Sequence, residues 1–350
     1  MRFFHIADTH LGATPDIGFR WSGERKSEIW ESFRRMIQKA EQEQLDLLLI
    51  AGDLFHRQPL LRELKEVNYL FSTLTKTKVV FIIGNHDFLK KDSYYRGFLW
   101  NENVTCLAGE ECEKVSFPEL QTTVYGLSYH SREIREPLYH GLAPAEDDSY
   151  SILLAHGGDE KHIPMDKRRL LDSGFDYIAL GHIHKPQILE MNRMIYAGAL
   201  EPLDHNDTGV HGFIYGSYEA GALKTAFIPW AVREYQVLEL EADEQTTDFS
   251  MQERIRDLIR EKGTQHIYKI RITGIRSPEM IFQTELYGKL GNVIKVIDDS
   301  EPAYDFDRLS RQHKEDIIGC YIDRLRSEQM GEMERRALFI GVQALLNAKR

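Results

Sequence analysis

Six short apolar runs decide what this chain can fold into: RFFHIA (2–7), LDLLLIAG (45–52), KVVFIIG (78–84), TVYGLS (123–128), YSILLAH (150–156) and YIALGH (177–182). Their near-continuous apolarity belongs to strands covered on both faces. Between the first three lie helical patterns. Ile29, Phe33, Ile37 and Ala40 keep one face across residues 24–43, and Leu60, Leu64, Val67, Phe71 and Leu74 keep one across 60–74. Strands alternating with such helices predict a layered α/β domain.

From about residue 193 the character changes. RMIYAGAL, GFIYGSY and LKTAFIPW are strand-like and joined by Gly- and Asp-rich turns, which predicts a second sheet packed on the first and running to about 230. A new pattern follows: strand REYQVLELEA, helix 248–262, strand YKIRITG, helix 278–290 and strand NVIKVIDD, a small α/β module. Residues 301–350 read as a turn followed by charged amphipathic helix, with ALFIGVQALL available for burial. The expected organisation is 1–230, 231–300 and 301–350, which a 350-residue chain that is 42% hydrophobic can support.

The strand ends carry the chemistry. After the first comes ADTH, with Asp8 and His10; after the second AGDLFH, with Asp53 and His56; after the third GNHD, with Asn85, His86 and Asp87. The fifth ends in His156, and the sixth continues as GHIH, with His182 and His184. In an extended chain alternate side chains point the same way, so His182 and His184 project together. Open α/β sheets bind ligands at this edge. Asp, Asn and His are oxygen and nitrogen donors without a thiolate, which favours manganese, iron or zinc. Four histidines, two aspartates and one asparagine are too many for one ion. They suit two, with Asp53 as the natural bridge, and two ions can hold a hydroxide for in-line attack on a phosphate.

DTH, GDLFH, GNHD, HG and GHIH, in this order, resemble the calcineurin-like metallophosphoesterase superfamily. HIADTHLG, AGDLFHRQ and LGHIHKPQ are similar to its SbcD-type DNA repair nucleases and the related YhaO-type exonucleases. The resemblance covers residues 1 to about 200. It implies a four-layer α/β fold, a two-sheet β-sandwich flanked by helices, with the 231–300 module as a small DNA-capping domain. It implies Asp8, His10, Asp53 and His184 around one ion, and Asp53, Asn85, His156 and His182 around the other. His86 would be the general acid or transition-state stabiliser, Asp87 its orienter, and His56 a residue handling the nucleic-acid end. The cofactor implied is a pair of divalent ions, manganese in the typical member. The partners implied are DNA and a coiled-coil ABC-type ATPase, and a homodimer is a further expectation. A serine often follows GNHD in the family, where this chain has Phe88.

The function expected is therefore metal-dependent DNA hydrolysis in break repair, as a 3′–5′ exonuclease with endonuclease activity as an extension. The alternatives are a phosphatase or phosphodiesterase acting on a phosphoprotein or small phosphoester, and a non-catalytic DNA-binding subunit of a repair complex. The net charge of −11, from 44 Lys+Arg against 55 Asp+Glu, argues against general adhesion to nucleic acid but leaves room for a local basic groove. Arg20, Arg25, Lys26, Lys90, Lys91, Arg132, Arg135, Lys167, Arg168 and Arg169 are the candidate contacts. Cys106, Cys112 and Cys320 form neither a disulfide framework nor a zinc-type cluster, and no apolar run approaches the roughly 18 residues of a membrane span. A cytoplasmic protein with reduced thiols is expected.

Overall fold

A computed structural model describes residues 1–146, 150–327 and 330–349, and the chain divides into two compact units, Met1–Tyr235 and Gln236–Arg350. In the first unit, β1 (Arg2–Ile6), β2 (Leu47–Ala51), β3 (Lys78–Ile82) and β4 (Val104–Cys106) run parallel in one sheet. The second sheet holds β5 (Glu113–Phe117), β6 (Thr122–Gly126), β7 (Ser151–His156), β8 (Tyr177–Gly181), β9 (Gln187–Glu190) and β10 (Met194–Tyr196), in the order β5-β6-β7-β8-β10-β9. The hairpin of β11 (Gly212–Glu219) and β12 (Ala222–Pro229) then returns to the first sheet, with β11 antiparallel to β1. This corrects one expectation. The strands after residue 193 do not build the second sheet; only β10 joins it, and the second sheet begins before residue 120.

The apolar runs are explained by what lies on each face. Leu47, Leu49, Phe3, Val80 and Ile82 point between the sheets and meet Val124, Ile152, Leu154, Tyr177 and Ala179. Leu48, Ile50, Phe4, Val79 and Phe81 point outward to Ile29, Phe33, Ile37, Leu64, Val67 and Phe71 of α1 (Ser22–Gln42) and α2 (Leu61–Ser72). The outer face of the second sheet is covered by Tyr139, Phe175 and Leu170, the last from α3 (Lys167–Leu171). Four layers result: helices, sheet, sheet, and a cover of loops and short helix. Each fully buried large aliphatic side chain contributes about 1.5–3 kcal/mol, so a strand apolar on both faces can bind only in this setting.

Arg25 belongs to this packing and not to a ligand surface. Its guanidinium is fully buried and donates to Glu28 (2.7 Å), to Glu201 (3.3 Å) and to the carbonyl of Pro202 (2.7 Å). The other nine basic candidates are exposed.

In the second unit, β13 (Tyr235–Ala242), β14 (Ile267–Arg276) and β15 (Val293–Asp298) form a sheet, with β16 (Glu301–Pro302) paired to β14. The helix α4 (Asp248–Lys262) buries Met251, Ile255 and Ile259 on Leu238, Leu240, Tyr268 and Ile270. The helix expected over 278–290 is a single turn, α5 (Thr284–Tyr287), because Met280 and Phe282 reach the same core from irregular backbone. Three helices follow, α6 (Phe306–Gln312), α7 (Ile317–Leu325) and α8 (Glu332–Lys349), around Ile318, Ile322, Leu338 and Val342. No helix among the described residues is long and apolar enough to cross a membrane, and the three cysteines are unpaired.

Candidate metal centre

The carboxyl ends of β1, β2 and β3 in one sheet and of β7 and β8 in the other deliver Asp8, His10, Asp53, Asn85, His156, His182 and His184 to one place. One donor atom from each of Asp8, His10 and His184 lies within 4.8 Å of the others, and the same holds for Asp8, Asp53 and His156. Asn85 completes the second group: its Oδ1 is 2.9 Å from His156 Nε2 and 3.1 Å from His182 Nδ1. Asp53 stands between the groups, with Oδ2 at 3.6 Å from His10 Nε2 and 3.4 Å from His156 Nε2. Asp8, His10, Asp53, Asn85 and His156 are all buried.

The backbone gives up regularity to do this. Asp8 (φ 50°), His10 (φ 44°), Asp53 (φ 49°) and His182 (φ 94°) all occupy the left-handed side, where a Cβ is unwelcome and strain of order 1–3 kcal/mol per residue is stored. Glycines make room. A Cβ on Gly84 would run into the Asp53 carboxylate, and one on Gly52, itself at φ 89°, would run into the His156 ring.

Each imidazole is oriented from behind. His156 Nδ1 donates to the Ala51 carbonyl (2.9 Å), so Nε2 is the atom presented to Asp53 and Asn85. His184 Nδ1 donates to Asp207 (3.0 Å), which leaves Nε2 facing His10 Nε2 at 3.1 Å. His182 is turned the other way, with Nε2 donating to Asp159 (2.8 Å) and Nδ1 facing Asn85. Its backbone N–H donates to both oxygens of Asp8 (3.1 and 2.9 Å). Lone pairs that converge in this manner repel unless positive charge sits among them. Nitrogen and carboxylate donors in two groups that have Asp8 in common and Asp53 standing between them fit divalent ions of the manganese, iron or zinc kind.

The titration behaviour agrees. Burial raises the Asp8 carboxyl to about 6. Burial also works to raise Asp53, but His156 and His10 hold it well below the usual carboxylate range. Burial keeps His10 well below its ordinary value, and burial with the His156 charge lowers His182 to about 4. Burial opposes the charged form of His156 and His184, yet Asp53 lifts the first to about 9 and Asp207 the second to about 9. Protons thus compensate a buried group of carboxylates, a role that a divalent ion held by these residues would take over.

His86 and His56 stand beside the donors, their ring centroids 4.7 and 5.3 Å from that of His10. His86 N–H donates to Asp53 Oδ1 (2.9 Å), and its Nδ1 donates to the His56 carbonyl (3.2 Å). Asp87 is not bonded to that ring. Its carboxylate accepts from the N–H groups of Gly84 (3.0 Å) and Phe55 (3.1 Å) and from Tyr95 Oη (2.8 Å), so it fastens the loop. Burial and the charge of Asp53 raise it to about 7. His205 is exposed, and His211 is buried with Nδ1 donating to the Gly209 carbonyl (3.1 Å). The sequence gives no local sign of Asp159 or Asp207; both lie on loops, Asp159 three residues after His156 and Asp207 two after His205.

A sandwich of two sheets that gathers nitrogen and carboxylate donors at one edge, with a histidine beside them, defines a metal-dependent hydrolase of ester bonds. The chain belongs to the calcineurin-like phosphoesterase family, whose model matches residues 1–186. Among its relatives is the uncharacterized metallophosphoesterase YhaO of Bacillus subtilis, 28% identical over 86% of this chain and 78% of that protein. The DNA double-strand break repair protein Mre11 of Methanocaldococcus jannaschii is 30% identical over 59% of this chain and 58% of its own length. One subunit of the SbcCD nuclease of Staphylococcus epidermidis is 22% identical, with 95% of this chain and 96% of that protein aligned.

Proposed function

We propose that this chain is a two-metal DNA nuclease acting in break repair, a 3′–5′ exonuclease with endonuclease activity on suitable ends. One observation carries the reading: seven donors from five strand ends meet around Asp53, with His86 at their side. Alignment with proteins named as a break-repair protein and as a nuclease subunit supports DNA as the substrate. Exposed Lys90 and Lys91, and Lys167 to Arg169, offer cations for a phosphate backbone.

Asp8, His10, Asp53 and His184 would hold one ion, and Asp53, Asn85, His156 and His182 the other, with manganese the expected metal. Bound there, the ions supply charge against the phosphoryl oxygens and activate a water. The chain's own part is positional. Asp53 fixes the Asn85–His86 loop through the His86 N–H, and Asp87 fixes it again through Gly84. With Nδ1 committed to the His56 carbonyl, His86 Nε2 is left to hold or release a proton at the leaving oxygen. The same reading includes a coiled-coil ATPase partner, which fits a relative named as one subunit of a complex. A cytoplasmic setting fits the three unpaired thiols.

The test is manganese-dependent digestion of labelled single- and double-stranded DNA beside a generic phosphomonoester. DNA cleavage is expected, and His86→Ala should lower it by about 10²- to 10⁴-fold with Mn²⁺ binding retained. Hydrolysis of the monoester alone would move the substrate to a small phosphoester, and Mn²⁺ binding without hydrolysis would make the chain a non-catalytic subunit.

A further inference from the structure

The two histidines of Gly181-His182-Ile183-His184 present different nitrogens to the centre. His182 offers Nδ1 and His184 offers Nε2. Two imidazoles one residue apart have no intrinsic reason to hold opposite tautomers. Each outward nitrogen, however, meets a carboxylate that comes from neither β8 nor the loop carrying the pair. Asp159, after β7, accepts from His182 Nε2 at 2.8 Å, and Asp207, before β11, accepts from His184 Nδ1 at 3.0 Å.

Both carboxylates are held in place. Asp159 Oδ1 accepts from the backbone N–H groups of Lys161 (2.8 Å) and His162 (3.0 Å), and its oxygens also take the His162 Nδ1 bond at 2.9 Å. Asp207 Oδ2 accepts from the Leu203 N–H at 2.9 Å. An ionised carboxylate only accepts, so the imidazole nitrogen facing it must carry the hydrogen. In the neutral ring the opposite nitrogen is then the lone-pair donor.

We propose that Asp159 and Asp207 are positioning residues that lock His182 as the Nε2–H tautomer and His184 as the Nδ1–H tautomer, one carboxylate for each ion of the pair. This rests on the two-ion reading above. The Asp159, His162 and His182 atoms are close enough to hold a cation themselves. That would strip His182 of its last hydrogen while Nδ1 serves the main centre, so the hydrogen-bonded arrangement is the one the geometry favours. Each aspartate acts on one histidine and hence on one ion.

The experiment uses the full-length, metal-stripped chain titrated with Mn²⁺. Wild type should bind two ions and show the exchange-coupled spectrum of a manganese pair. An asparagine at either position can donate from its amide and so admits the wrong tautomer. Asp159→Asn and Asp207→Asn should each weaken one ion by about 10- to 100-fold, leave the other within a few-fold, and abolish the coupled spectrum at matched Mn²⁺. Asp159→Glu should restore part of the loss. Melting of the metal-free variants checks folding. Independently of any folding defect, ¹⁵N-histidine spectra of the metal-free wild type at pH 10, where both rings are neutral, assigned with His182→Gln and His184→Gln, should show opposite tautomers at the two positions. Wild-type Mn²⁺ isotherms in both asparagine variants, or one shared tautomer, overturn the proposal. Failure of wild type to bind two ions overturns the two-ion reading instead.

Discussion

The two units of this chain place aspartates at strand ends in opposite ways. In the first, Asp8 and Asp53 follow β1 and β2 and are buried among histidines whose free nitrogens face them. In the second, Asp243 and Asp298 stand at the ends of β13 and β15, exposed, and spend themselves on turns. Asp243 accepts from the Gln245 N–H (3.0 Å) and the Thr246 hydroxyl (2.7 Å), and Asp298 accepts from the Ser300 N–H (3.0 Å). An acid after a strand is therefore a turn signal by default. It becomes chemistry only where several strand ends converge and exclude water.

Asp53→Asn should break the contrast most severely. Losing the shared carboxylate should remove both the binding of a second Mn²⁺ and phosphodiester hydrolysis, a larger loss than that from His86→Ala. A variant that kept both would mean the two donor groups work separately. Calorimetric Mn²⁺ titration and a DNA cleavage assay decide it.

A smaller effect concerns acid stability. His5, on the inner face of β1, has Nδ1 2.9 Å from Tyr177 Oη and a buried Nε2 without a partner, and burial lowers its pKa to about 3. The unfolded chain takes up a proton below pH 6.5 that the folded chain refuses. The contribution of His5 to stability is therefore complete above pH 6.5 and falls as pH drops toward 3, at up to about 1.4 kcal/mol per pH unit. His5→Gln keeps a partner for Tyr177 and cannot titrate. Urea unfolding at pH 6.5 and pH 4.5 should show a shallower decline in the variant, and parallel declines would remove His5 from the account.

The smallest effect belongs to the second unit. Asp243→Asn should shift stability by no more than about 0.5 kcal/mol and leave Mn²⁺ binding and cleavage untouched. A loss of either function would show that the exposed acid is not merely a turn former.

Much of the first unit was legible because donors punctuate the apolar runs: a buried strand that stops at a polar residue advertises its own end. The sheet membership of β11 and β12 was not. A hairpin's pattern says that its strands pair with each other, and nothing local says which sheet edge receives the pair. Arg25 could have been placed correctly. It stands four residues before Ile29 and on the same face as Phe33 and Met36, so helical periodicity puts it inward, where Glu201 awaits. Asp159 and Asp207 were beyond reach, because each touches its histidine across at least 23 residues of sequence.

The left-handed backbone at Asp8, His10, Asp53 and His182 has a consequence for how such a protein can change. Glycine would relieve the conformation at each position and would delete the side chain for which the conformation exists. The usual route to a sturdier turn is thus closed at four points together, and robustness has to be gained in the sandwich core or on the surface, away from the edge that does the work.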